Sequence, residues 1–208
     1  ASLDTPQRVR AFFATHYPAA INLLPEFEQE FLEHPVGLLG TVRCDPWNHE
    51  TTLLVGDASH GIVPFFGQGL NSGLEDCAVL FELLGQGDDQ IEEIFEAFYK
   101  SRKPNTDAIA AMALENYEEM SDKVGDPRFL ERKKLERRIE QTFPEKYRSR
   151  YATVMYSTIG YADAFEAGRI QSEILNTLLD QGATAQEPHL ELAESLIDSK
   201  LTPFYETR

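Results

Sequence analysis

Apolar positions recur with two different periods along this chain, and the change of period divides it. From Thr5 to Leu32 the apolar residues Val9, Phe12, Phe13, Tyr17, Ile21 and Leu24 stand at roughly helical spacing. Gly37 to Cys44 (GLLGTVRC) reads as a strand, and Asp45, Pro46 and the polar run Asn48-His49-Glu50 read as a turn. Thr51 to Val55 is a short β-branched run, apolar enough on both faces to be buried inside a sheet, and it ends in Gly56-Asp57. A glycine-rich loop containing aromatics follows, Ala58 to Gly69. Leu70, Leu74, Cys77, Phe81 and Leu84 then recur every three or four residues, which predicts a helix over 70–84 with Gly85 placed to cap it. Beyond that the period is helical throughout. Ile91, Ile94, Phe95 and Phe98 line one face of a helix over 91–101, which Pro104 is expected to break. Asn105 or Thr106 would cap a new helix running to about Val124. Further helices are expected over 129–143, 163–179 and 189–201, and Tyr147 to Ser157 fits helix or strand. The pattern predicts an α/β region followed by an all-helical C-terminal region, with a boundary between Gly85 and Asp89.

Composition narrows the function classes. Hydrophobic residues make up 42% of the 208, enough for a core. Asp plus Glu number 35 against 19 Lys plus Arg, giving a formal charge of −16 that repels nucleic-acid backbones and anionic membranes. Two cysteines, Cys44 and Cys77, form neither a disulfide framework nor a C-x-x-C pair, and no metal site is expected. No apolar run approaches the ~20 residues that span a bilayer. The opening ASLDTPQRVR has no apolar core of a signal peptide. These features lead to the expectation of a cytoplasmic protein with no membrane segment.

The segment richest in chemistry is Leu53 to Leu84. A buried strand would deliver Gly56-Asp57 to its C-terminal end, the edge at which open α/β sheets bind ligands, and an Asp there accepts hydrogen bonds from ligand hydroxyls. Gly61, Pro64, Gly67 and Gly69 shape a loop with little side-chain bulk. It enters a helix at Leu70-Asn71, where free N–H groups and the helix dipole favour electron-rich ligand atoms. The spacing of Gly67, Gly69 and Gly73 is not the dinucleotide fingerprint, and on spacing alone a ligand loop and a structural loop stay equally open.

The order Gly56-Asp57-Ala58-Ser59-His60, then Pro64-x-x-Gly67-Gln68-Gly69-Leu70-Asn71-Ser72-Gly73-x-Glu75-Asp76, resembles the second FAD-binding motif of the class A FAD-dependent aromatic hydroxylases. The version Ile62-Val63-Pro64-Phe65-Phe66-Gly67-Gln68-Gly69 is similar to that of kynurenine 3-monooxygenases. So are Phe12 to Pro25, Asn116-Tyr117-Glu118-Glu119-Met120 and Tyr151 to Ser157. The resemblance implies FAD as cofactor, with Gly56, Asp57, Pro64, Gly67, Gln68, Gly69, Leu70 and Asn71 in contact with it. Asp57 would meet the ribityl chain, and the N–H groups of Leu70 and Asn71 the pyrimidine edge of the ring. Phe65, Phe66, Gln68, Asn116 and Tyr151 would face substrate, the last two at its amino-acid end. It implies NADPH and O2 as co-substrates and hydroxylation of L-kynurenine to 3-hydroxykynurenine through a flavin C4a-hydroperoxide, with no covalent catalytic residue in the protein. His60 stands where that family has a structural residue. The family's strand–GxGxxG–helix unit and early substrate-binding Arg have no counterpart here. The expected fold class is therefore an incomplete flavin-monooxygenase α/β fold: the end of a substrate-domain sheet with its preceding helix over 1–50, the flavin motif over 51–87 and a helical domain over 88–208. An N-terminal FAD-binding half, possibly a separate chain, is the expected partner. Two other readings remain: a flavin hydroxylase of another aromatic acid, and a non-catalytic helical interaction module.

Overall fold

A computed structural model describes residues 2–85 and 90–207. The expected boundary between Gly85 and Asp89 falls largely on residues 86–89, outside the described residues. The chain separates into two compact units, Ala1–Leu39 and Gly40–Arg208.

In the first unit, α1 (Pro6–His16) starts where Thr5 accepts a hydrogen bond from the Arg8 N–H and Pro6 occupies the first turn. The single helix expected over 5–32 is interrupted. Pro18 and Pro25 have no N–H to continue a ladder, so a 3-10 turn (Pro18–Ala20) intervenes before α2 (Phe27–Glu33). Phe13 packs its ring 4.8 Å from that of Phe27, and Arg10 pairs with Glu28 while lying over the Phe27 ring.

The second unit is mostly helical. Its sheet is one hairpin of two antiparallel two-residue strands, β1 (Asn48–His49) and β2 (Thr52–Leu53). The strand expected over 37–44 does not form. The Val42 and Cys44 N–H groups instead bond singly to the carbonyls of Gly61 and Ser59. The buried strand expected over 51–55 shrinks to Thr52–Leu53, with Thr51 and Thr52 exposed, because Asn48–His49 is the only strand beside it among the described residues. The polar run expected to turn thus supplies β1, and the turn falls on Glu50 and Thr51.

A four-residue helix α3 (Asp57–His60) and a 3-10 turn (Pro64–Phe66) lead into α4 (Gly69–Gly85), the helix the apolar spacing predicts. Its orientation is the reverse of what that spacing implies. The buried positions are polar, Ser72 and Asp76, whereas Leu70 (75% exposed), Leu74 (59%), Phe81 (79%) and Leu84 (48%) face outward.

The break expected at Pro104 is absent: α5 runs unbroken from Ile91 to Glu118 and continues as a π-helical turn, Glu119–Lys123. Proline in a helix interior costs about 3 kcal/mol. Burial of Phe98 on one side of it and of Ile109, Met112 and Ala113 on the other is worth more, at roughly 2 kcal/mol for each large side chain. Asn105 therefore begins no helix here. It caps another one, its Oδ1 accepting from the Ala162 N–H at 3.0 Å in the first turn of the helix that begins at Tyr161.

The remaining helices are α6 (Pro127–Thr142), α7 (Arg150–Tyr156), α8 (Tyr161–Asp180), α9 (Leu190–Leu196), a π-helical turn (Ile197–Leu201) and α10 (Thr202–Glu206). Tyr147 to Ser157, open between helix and strand, becomes α7. Two cores share α8. Leu135 and Ile139 of α6, Ile174 and Leu178 of α8, and Ile197 form one, and Val63, Phe66, Ile109, Met112, Val154 and Tyr161 form the other. Among the described residues no helix is long and apolar enough to cross a membrane.

Candidate functional site

Gly56, at the end of the hairpin, adopts φ +61° and ψ −139°, a conformation closed to side chains that carry a Cβ. Its peptide groups are held from both sides. The N–H donates to Asp76 Oδ2 at 3.1 Å, and the carbonyl accepts from the Ser59 N–H (2.9 Å), the Ser59 hydroxyl (2.9 Å) and the His60 N–H (3.0 Å). Asp57 follows immediately and is exposed, with no hydrogen bond or ion pair joining its carboxylate to another described residue.

Asp76 is fully buried and is the hub beneath this turn. His60 Nε2 lies 2.5 Å from Asp76 Oδ2, and Arg102 Nε donates to Asp76 Oδ1 at 2.7 Å. The rest of the Arg102 guanidinium reaches Glu75 (2.8 Å) and the Ser72 carbonyl (3.2 Å). Burial by itself would raise the Asp76 carboxyl. The hydrogen bonds from His60 and Arg102, with their charges, outweigh it and hold Asp76 below the ordinary aspartate value.

The glycine loop comes next. Gly67 has φ +68°, and a Cβ built on Gly67 or Gly69 would meet nothing within 4 Å, so the backbone there faces open space. Pro64, Gly67, Leu70 and Asn71 are exposed along the same stretch. Gln68 is turned inward. Its Oε1 accepts from Asn71 (2.8 Å) and from the Tyr161 hydroxyl (3.1 Å), and its Nε2 donates to the Met155 sulfur (3.1 Å). Burial, with Glu75 nearby, pushes the Tyr161 phenol up to about 12.

Beside the loop, between the end of α5 and helices α6, α7 and α8, lies a cavity of about 720 Å³. Phe66, Asn116 and Tyr151 all line it, joined by Met120, Phe129 and Arg132. Asn116 donates through Nδ2 to the Phe65 carbonyl at 2.5 Å, which ties the loop to α5 and leaves its Oδ1 as an acceptor. The Tyr151 ring packs 5.9 Å from that of Phe66. Phe65 turns elsewhere, against Tyr117 at 4.6 Å, and neither Phe65 nor Gln68 lines the cavity.

Residues 14–109 match the family described as FAD binding domain. Kynurenine 3-monooxygenase of Myxococcus xanthus (strain DK1622) is 46% identical over 205 residues, covering 98% of this chain and 44% of that protein. The chain is a homologue of the kynurenine 3-monooxygenases. The enzyme of that name from Legionella pneumophila (strain Corby) is 39% identical over 97% of the chain and 46% of its own length, and that of Dictyostelium discoideum 38% over 96% and 47%. The chain thus spans about half the length of the curated relatives it matches.

Within this kynurenine 3-monooxygenase-like segment, the sequence pattern singles out neither Arg102 nor Tyr161, gives His60 no chemical role and gives Asp76 only a place in the flavin motif. One signal was available. Ser72 and Asp76 stand four apart on α4, so they share a face opposite the leucines. A buried carboxylate requires a cationic partner, which only the fold identifies.

Proposed function

We propose that the protein carrying this chain is a cytoplasmic NADPH- and FAD-dependent monooxygenase that converts L-kynurenine to 3-hydroxykynurenine, and that this chain supplies the flavin-facing loop and one wall of the substrate site. The observation that carries the proposal is the cavity lined jointly by Phe66, Asn116 and Tyr151, next to a glycine loop whose backbone is open to a planar ligand.

A flavin held there would supply the redox chemistry of ring hydroxylation, with NADPH as reductant and O2 as the oxygen source. The residues fit such a group: the open faces at Gly67 and Gly69 admit a ring against the backbone, and the α4 N-terminus favours negative charge on the ring edge nearest Leu70 and Asn71. Asp57 accepts from ribityl hydroxyls. Asn116 Oδ1 accepts from the substrate's ammonium and the Tyr151 hydroxyl donates to its carboxylate, which orients the aromatic ring toward the loop. Phe66 closes the wall between them and excludes water. The outward apolar row on α4, and the hairpin with no further strand beside it among the described residues, support a flavin-monooxygenase α/β fold completed by an N-terminal FAD-binding half.

The test is a visible spectrum of the protein isolated with any accompanying polypeptide, followed by NADPH oxidation and product mass with L-kynurenine. Yellow protein that forms 3-hydroxykynurenine supports the reading. Flavin-bearing protein that ignores kynurenine but responds to another aromatic acid replaces the substrate, and colourless protein removes the enzyme altogether.

A further inference from the structure

The Gly56 turn is over-determined. Asp76 holds its N–H, three donors from Ser59 and His60 hold its carbonyl, and Arg102 and the His60 ring anchor Asp76 in turn. Local geometry does not require this much. An exposed strand-to-helix turn satisfies its peptide groups with water, whereas here three ionisable side chains are taken out of water, His60 3%, Asp76 0% and Arg102 5% exposed. No hydrogen bond or ion pair joins the Asp57 carboxylate, at the outer end of the turn, to another described residue.

We infer that Asp76, clamped by His60 and Arg102, is a positioning residue that fixes the Gly56 peptide so that Asp57 is presented in one orientation to the hydroxyls of a bound flavin's ribityl chain. The inference rests on the flavin reading above and goes beyond it by assigning a role to residues that touch no ligand. The clamp spans three elements. His60 comes from α3, Asp76 from α4 and Arg102 from α5, so docking of the two long helices and the aim of Asp57 are set by the same contacts. Hydrogen bonding to hydroxyls is steeply orientation-dependent, and a misplacement of ~1 Å costs on the order of a hundredfold where positioning matters.

The test measures FAD dissociation constants for the complete flavin-binding protein bearing His60→Leu or Asp76→Asn, each with Asp57 intact and with Asp57→Ala. Emission of Trp47, the one tryptophan of these 208 residues, whose ring lies 5.2 Å from that of His60, taken as the difference from a Trp47→Phe control, reports whether the local fold is kept. With Asp57 present, His60→Leu should weaken FAD by about tenfold or more, and His60→Gln, which keeps a donor toward Asp76, should recover most of that loss. With Asp57→Ala the same substitution should change affinity less than about twofold, because the group being aimed is gone. Equal losses in both backgrounds, or no loss in either, would overturn the inference while leaving the flavin reading intact. A wild-type protein that binds no FAD removes both. If Asp76→Asn fails to fold, the His60 pair alone decides the question.

Discussion

Replacing Gly168 by alanine sets two effects of opposite sign against each other, and the structure says which wins. Gly168 lies inside α8, where alanine is favoured by about 1 kcal/mol over glycine. A methyl group there would lie inside contact distance of Arg150 Cδ, 2.9 Å from its Cγ and 3.1 Å from its Cβ. Those atoms are the stem of the side chain and not its mobile tip. Relief requires a shift of α7 itself or rotation of Arg150 out of its 2.5 Å ion pair with Glu115. Overpacking of this kind costs about 1–3 kcal/mol, and the half-exposed ion pair adds at most ~0.5 kcal/mol. The net expectation is about 1 kcal/mol of destabilisation, which for a chain of this size lowers Tm by roughly 2–4 °C. Thermal melts of Gly168→Ala, Arg150→Ala and the double variant form the assay. With Arg150 truncated only the 3.1 Å contact with its Cβ remains, so Gly168→Ala should then lower Tm less than in wild type, or raise it. A rise in Tm with Arg150 intact would refute the packing argument.

Four other outcomes follow from the same geometry. Asp76 is held below its ordinary pKa in the folded state, so its stabilisation is fully present above about pH 4 and is lost as pH falls through and below that range; the urea-midpoint gap between wild type and Asp76→Asn should stay flat from pH 7 to 5 and narrow below 4. Tyr161 is raised to about 12, so its contribution is present below pH 10 and lost as pH climbs toward 12; Tyr161→Phe should melt with a shallower alkaline decline than wild type. Asn105→Asp keeps the acceptor at the α8 N-terminus and adds a charge favoured there by about 0.3–1 kcal/mol, so it should melt at or above the temperature of Asn105→Ala, which loses the cap. Phe81→Ser should leave the Tm of the isolated chain within a degree or two of wild type while reducing its binding of hydrophobic dyes, since that ring is 79% exposed.

Helix positions were legible over two of the long apolar periods. The 70–84 and 163–179 readings match α4 and α8 within about two residues, because an amphipathic period survives any choice of partner. Facing was not legible. Leu70, Leu74 and Phe81 announce a helix, yet nothing local says that they face outward while Ser72 and Asp76 turn in. Pro104 misled for the converse reason, since a local rule yields when tertiary burial on both sides of it is larger. The short strands were over-read because a strand needs a neighbour, and period two says nothing about whether one is present. For the candidate site, the resemblance named Phe66, Asn116 and Tyr151, and the fold lines one cavity with them. It could not name His60 and Arg102 as partners of Asp76, since they lie 16 and 26 residues away and meet it only through three-dimensional packing.

The unbroken α5 has a consequence for how chain length can vary. It carries Arg102 of the clamp and Asn116 of the cavity on one rod, about 21 Å apart along the axis at about 1.5 Å per residue. The spacing between the two is thus graduated by helical pitch and not by a loop. One residue inserted or deleted between them would turn everything beyond it by about 100° and carry Asn116 off the cavity wall. Versions of this protein should not differ in length between Arg102 and Asn116.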